Sequence, residues 1–272
     1  MRLSRFVLLS LGTVTTIACG GADVTTPSVP PLSSVRFINA LSDTGSVDVR
    51  AVDQVAYSPV ANNLAFRAAT FYQNSAVGPR HFRVFPTSTN INVTSQILSD
   101  VTVTLPANTR LTLLVTGSAR AGTVSLWVID DGAAAPPAGQ VSVRLVNAAP
   151  GVINGYLVNT PTDPIPGSPT YSALGTLIRS PYVARNAGAA AVRVADAGSG
   201  TVTASGAGPA APASLAGQKP AAGVTSPGTS FSVYYFGPGA PGSANAAVTN
   251  PGLIWFVDRN PCDQPAVAAC AP

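Results

Sequence analysis

Val35-Arg36-Phe37-Ile38-Asn39-Ala40 recurs further along the chain as Val143-Arg144-Leu145-Val146-Asn147-Ala148. Tyr72 aligns with Tyr182, and Arg83-Val84 with Arg193-Val194. The run Leu111 to Val115 matches Ser232 to Phe236 in pattern, and the loop Gly117 to Gly122 matches Gly237 to Gly242. Last, Leu126 to Asp130 matches Ile254 to Asp258. These matches keep one order, and their offset grows slowly through loop insertions, which marks an internal duplication. The fold must therefore be one that a unit of about 100 to 120 residues can build twice, an ordinary domain size.

Within each unit the pattern is strand and turn. Val101, Val103 and Leu105 alternate with Thr102 and Thr104, and Val141, Val143 and Leu145 with Ser142 and Arg144. Each series makes an apolar face at period two. Pro106-Ala107-Asn108 and Pro227-Gly228 supply turns between strands. The acids are all Asp and Lys219 is the only lysine. Amphipathic helices have few good formers to draw on, whereas abundant Val and Thr favour strands. The expectation is an all-β chain with two tandem β-sandwich domains, at 35–131 and 141–260, joined by a Pro/Gly linker at 132–140. The Ala/Gly/Pro/Ser-rich stretch near 204–228 reads as an enlarged loop of the second domain. Trp127 and Trp255 fall at matching places on the last strands, and each is expected to plug a core rather than to form a ligand platform.

The amino terminus has an address of its own. Arg2 and Arg5 precede an uncharged apolar run, Phe6 to Ala18, too short to span a bilayer but suited to a signal-peptide core. Residues 1–18 are read as that signal. The run ends in Thr16-Ile17-Ala18-Cys19-Gly20, which resembles a bacterial lipobox, with Thr16 where Leu is usual. Cys19 is expected to carry acyl chains and tether the chain to a membrane, with 19–34 as a Pro/Ser/Thr spacer. By analogy with enterobacterial sorting, Gly20 points to the outer membrane, with the protein facing periplasm or cell surface. The alternative is a plain secretory signal that leaves Cys19 a free thiol. In an exported protein, Cys262 and Cys270 in the tail 261–272 are expected to form a disulfide.

Three features carry a resemblance: Val35 to Ala40 followed by Val47-Asp48-Val49; the segment from Val103-Thr104-Leu105-Pro106-Ala107 to Leu113-Leu114-Val115-Thr116-Gly117; and the closing Leu126 to Asp131. Together they are similar to domain-of-unknown-function family 4397, whose domains occur in tandem in exported proteins, often on lipoproteins. The resemblance extends over Val35 to Asp131, and in the second unit over Val143 to Pro150 and Ile254 to Asp258. It implies immunoglobulin-like or transthyretin-like sandwiches and supplies no catalytic residues.

The residues themselves point away from catalysis. His81 is the only histidine, so any Ser-His-Asp or Cys-His arrangement would need it; its counterpart in the second unit is Ala191. Gly237 to Gly242 spells GxGxxG, but Pro238 and Pro241 interrupt it and no helical period follows, so it reads as a hairpin loop. Asp43, Asp48, Asp130 and Asp131 do not have calcium-loop spacing and read as strand-end and turn residues. No metal or cofactor is expected. The chain holds 15 Lys and Arg against 11 Asp. Removal of Arg2 and Arg5 leaves a scattered charge of +2, which speaks against a nucleic-acid partner. Two readings remain. One is a non-catalytic structural or interaction protein facing envelope components. The other is a glycan- or small-molecule-binding module, with Tyr72 and Tyr182 as candidate contacts beside Tyr156, Tyr234 and Tyr235.

Overall fold

A computed structural model describes residues 30–211 and 222–263. They form an all-β protein of sandwich type. The first repeat contributes β1 (Leu32–Asn39), β2 (Val47–Ala51), β3 (Val60–Leu64), β4 (Gln73–Ala76), β5 (Gly78–Pro86), β6 (Ser99–Leu105), β7 (Arg110–Thr116) and β8 (Ser125–Asp130), with one turn of helix, α1 (Ile91–Thr94). Its two sheets have the orders β4-β1-β7-β8 and β3-β2-β5-β6. The second repeat contributes β9 (Gln140–Asn147), β10 (Ile153–Val158), β11 (Tyr171–Leu174), β12 (Ile178–Arg179), β13 (Val183–Asn186), β14 (Ala191–Asp196), β15 (Val202–Ala207), β16 (Ser230–Phe236) and β17 (Gly252–Arg259). Its sheets have the orders β12-β9-β16-β17, with β13 also on β9, and β11-β10-β14-β15. The topology is thus written twice. In both repeats the first strand pairs in parallel with the next-to-last one.

Two expectations at the segment edges need correction. β1 begins at Leu32, inside the stretch read as spacer, because Leu32 to Val35 pair with Gln73 to Ala76. β15 runs into the stretch read as a low-complexity loop, because small residues there pair along β14 from Ala191 to Ala195. Cys19 and Cys270 lie outside the described residues, as do residues 212–221. Cys262 is buried.

Each sandwich has its own core. Val35, Phe37, Leu111, Leu113 and Val115 meet Val47, Val49, Phe82 and Val84 in the first, with Phe37 edge-on to Phe82 at 5.9 Å. Val143, Leu145, Phe231 and Val233 meet Ile153, Val192 and Val194 in the second. Gly155 stands where the first repeat has Val49, and Leu145 and Tyr171 fill the space: a Cβ on Gly155 would overlap Leu145 Cδ2 and fall 2.9 Å from the Tyr171 ring. Buried asparagines pin the next corner in both repeats. Asn39 Nδ2 donates to the Leu64 carbonyl (2.9 Å) and Asn147 Nδ2 to that of Leu174 (3.0 Å).

A third core lies between the repeats. Ile38, Leu114 and Ile129 pack against Val146, Tyr234 and Phe236, with Trp127 and Phe256 at the margin. The sheets holding β1 and β9 therefore bury both faces. Ser142 and Arg144, which alternate with the apolar residues of β9, are both buried. The described residues from Pro31 to Asp263 belong to one compact unit rather than to two beads on a linker.

Candidate functional site

The centre of the seam is a polar cluster in which the repeats exchange partners. Arg144 Nη2 donates to Asp131 Oδ1 at 2.5 Å, and Arg36 Nη2 donates to Asp258 Oδ1 at 2.5 Å. Each guanidinium also binds a backbone carbonyl of the other repeat, Arg144 that of Asp130 (2.8 Å) and Arg36 that of Val257 (3.1 Å). Within its own repeat, Arg36 Nε donates to Thr112 Oγ1 (2.7 Å) and Arg144 Nε to Ser232 Oγ (2.6 Å). Those hydroxyls pass the chain on: Thr112 donates to Asp131 and Ser232 to Asp258, both at 2.5 Å. Tyr72 and Tyr182 complete it, their hydroxyls donating to Asp131 Oδ2 (2.9 Å) and Asp258 Oδ2 (2.7 Å). The Arg36 and Arg144 guanidiniums lie 4.8 and 4.6 Å from the centroids of those rings.

Arg36, Arg144, Asp131 and Asp258 are almost fully excluded from water. Such charges survive burial only when paired and fully hydrogen-bonded, and here the two cations and two anions neutralise one another. Burial works against the Arg36 charge, but Asp131 and Asp258 overcome it and hold the guanidinium above its ordinary range. Burial pushes the Asp131 carboxyl up, and Arg36 opposes that shift. Burial likewise raises the hydroxyls of Tyr72, Tyr182 and Tyr234.

This geometry redistributes the residues read from the sequence. Tyr72 and Tyr182 are brought into one cluster, half-buried and with their hydroxyls engaged internally. Tyr156, Tyr234 and Tyr235 are buried, so they offer no exposed face for stacking. Asp131 stands just past the end of β8, and its carboxylate is a central member of the seam. Trp127 and Trp255 are not equivalent, because the final strands align one residue away from the sequence match. Leu114 pairs with Ile38 and Tyr234 with Val146, so the counterpart of Leu114 is Tyr234 and not Tyr235 as in the sequence match. Leu114 opposes Trp127 and Tyr234 opposes Ile254, so Trp255 corresponds to Val128 and Asp258 to Asp131. A slip of one residue reverses the face. Trp127 borders the seam and Trp255 packs edge-on to Phe231 in the second core.

His81 lies at a half-exposed edge, its Nε2 against Asp100 Oδ1, with Arg83 Nε donating to Asp100 Oδ2 at 2.9 Å. Among the described residues no three His, Cys or Asp side chains gather as a metal site would need, and no helix there is long and apolar enough to cross a membrane. The GxGxxG stretch forms the loop between β16 and β17, where the Gly239 amide donates to the Val248 carbonyl (2.7 Å). It docks on the first repeat: Ala240 N–H donates to the Ser42 carbonyl (2.9 Å), and Arg120 Nη1 to that of Pro241 (2.9 Å).

The Asp43 carboxylate organises that end. It accepts the Ser118 hydroxyl (2.6 Å) and the amides of Ala119 (3.1 Å) and Arg120 (3.0 Å). Partial burial works to raise its pKa, but these donors outweigh it and hold the carboxyl below its ordinary range. A depressed folded pKa gives stability that is present above the unfolded value of about 3.9 and lost as pH falls through the folded one. The Asp43→Asn variant should therefore lose thermal stability against the parent at neutral pH, and the difference should shrink as pH falls below the folded value. Paired melting curves across that range test this; a gap that stays constant with pH contradicts it.

Residues 33–154 match the family model described as domain of unknown function (DUF4397). No curated protein matches the chain. Among solved structures, similarity extends to a family CBM26 module of Eubacterium rectale Amy13K in complex with maltoheptaose (10% identity, 85% of this chain and 98% of that one, TM-score 0.25). It extends also to the fimbrial anchor protein Mfa2 of Porphyromonas gingivalis (8% identity, 83% and 97%, TM-score 0.20).

Proposed function

We propose that this chain is an exported, lipid-anchored protein of the cell envelope with a non-catalytic structural or protein-interaction role, held at the outer membrane through Cys19. The observation that carries the reading is the seam, where the charged groups that could serve chemistry are instead committed to joining two sandwiches into one body. A second observation gives that body a direction. The chain enters β1 at Leu32 and leaves β17 at Arg259, both at the pole where β7 starts and β8 ends. A tether at this entry pole would present the opposite one, built from the loops after β1, β7, β9 and β16. A Cys262–Cys270 bond would hold the tail near the entry pole, away from the presented loops.

The glycan-binding alternative, as carried by Tyr72 and Tyr182, has less support, because both hydroxyls already serve Asp131 and Asp258. The anchor is tested by metabolic labelling with a fatty-acid analogue: label is expected on the parent chain and not on Cys19→Ala. An unlabelled parent, or label that survives the substitution, removes the anchor.

A further inference from the structure

The pole opposite the chain's entry holds a cleft of about 490 Å3 that neither repeat could form alone. Equivalent positions of the two repeats line it together: Ala40 with Ala148, Gly117 with Gly237, and Phe66 with Thr176. The volume falls among those of small-molecule sites.

The wall is specific in what it offers. No ionisable side chain lines it, and its apolar surface comes from Phe66, Leu177 and the prolines 150, 238 and 241. Proline supplies no N–H, and the amides of Gly239 and Ala240 are committed to the Val248 and Ser42 carbonyls. Hydroxyls remain. Among the described residues, those of Ser42, Thr116 and Ser125 have no protein partner, and Thr116 and Ser125 face each other across β7 and β8. A hydroxyl both donates and accepts, so a group of them suits a ligand that is itself built of hydroxyls. Phe66 is a positioned ring: it lies edge-on to buried Phe236 at 6.3 Å, with the Arg67 guanidinium 5.0 Å from its centroid. That guanidinium is engaged in turn by the carbonyls of Gly237 (2.6 Å) and Asn250 (2.7 Å).

We propose that this cleft binds a neutral sugar, about one to two rings of an uncharged glycan. The hydroxyls of Ser42, Thr116 and Ser125 would meet the sugar hydroxyls, and Phe66 with the prolines would meet its C–H face. The site deepens the interaction reading by giving its presented pole a ligand class, and it rests on that reading only for which way the cleft faces.

The test is an array of neutral and acidic oligosaccharides probed with the soluble chain lacking residues 1–19, followed by titration of the best neutral component. Binding is expected to neutral components. It should fall about tenfold in Phe66→Ala and about fivefold in Ser125→Ala, with unchanged melting temperature in the latter. Thr102→Ala, on the far sheet of the first repeat, should bind like the parent. Ser125 is exposed, so its variant keeps the test valid if Phe66→Ala folds poorly. No neutral binding, preference for acidic components, or binding indifferent to both cleft variants overturns the proposal. Because the soluble chain lacks Cys19, none of these outcomes bears on the anchor, which fatty-acid labelling tests alone.

Discussion

Arg144→Met is expected to lower the unfolding free energy of the soluble chain by about 3–5 kcal/mol. The substitution keeps the bulk of the side chain but removes the cation between two carboxylates. Asp131 would lose its 2.5 Å partner, and Arg36 would be left as the one cation between the two carboxylates. An uncompensated buried charge carries most of that loss. In a body this size the melting temperature should fall by about 6–20 °C. Urea unfolding gives the free energy, and a loss below about 1 kcal/mol would show that the cluster is not the buried, fully bonded network described. Arg144→Met combined with Asp131→Leu removes a whole ion pair and should recover much of the loss. Added salt should change the parent little, because buried pairs are weakly screened.

That the cluster was hidden in the sequence has a physical cause. Period-two alternation reports that one face of a strand differs from the other, and it was enough to locate the strands and the repeated sandwich pattern. Val35, Phe37, Val143 and Leu145 all face the cores that their pattern implied. Alternation does not say what lies against the polar face. The burial of Arg36 and Arg144 does not follow from the alternation, because a buried Arg needs carboxylate partners, and these come from Asp258 for Arg36 and from Asp131, across the linker, for Arg144. The signal lies at the end of each repeat, as an Asp at the close of the last strand: Asp131 just past β8 and Asp258 next to last in β17. The alignment of Trp127 with Trp255 sets Asp258 against Asp130, whereas the strand registers set it against Asp131. The cleft was less legible still. Its wall is made of Ser, Thr, Pro and Gly, common residues that acquire meaning only when two poles are brought together.

The first repeat expressed alone, residues 30–134, is expected not to persist as a folded monomer but to pair with a second copy of itself. Alone it would expose Ile38, Leu114, Trp127 and Ile129, a contiguous apolar face of the kind that marks an interaction surface. It would also leave Arg36 without Asp258. The repair is at hand, because the exchange across the seam is reciprocal: what Arg36 takes from the second repeat is the counterpart of what Asp131 gives to Arg144. A second copy of the first repeat offers Asp131 in the place of Asp258, and such mutual exchange is the defining property of a twofold interface. Sedimentation equilibrium should therefore find dimers whose stability rises with concentration, and Asp131→Ala should abolish both dimer and fold. A stable, folded monomer of this fragment would mean that the seam is an ordinary contact between independent domains, and that the duplication was not needed to complete the fold.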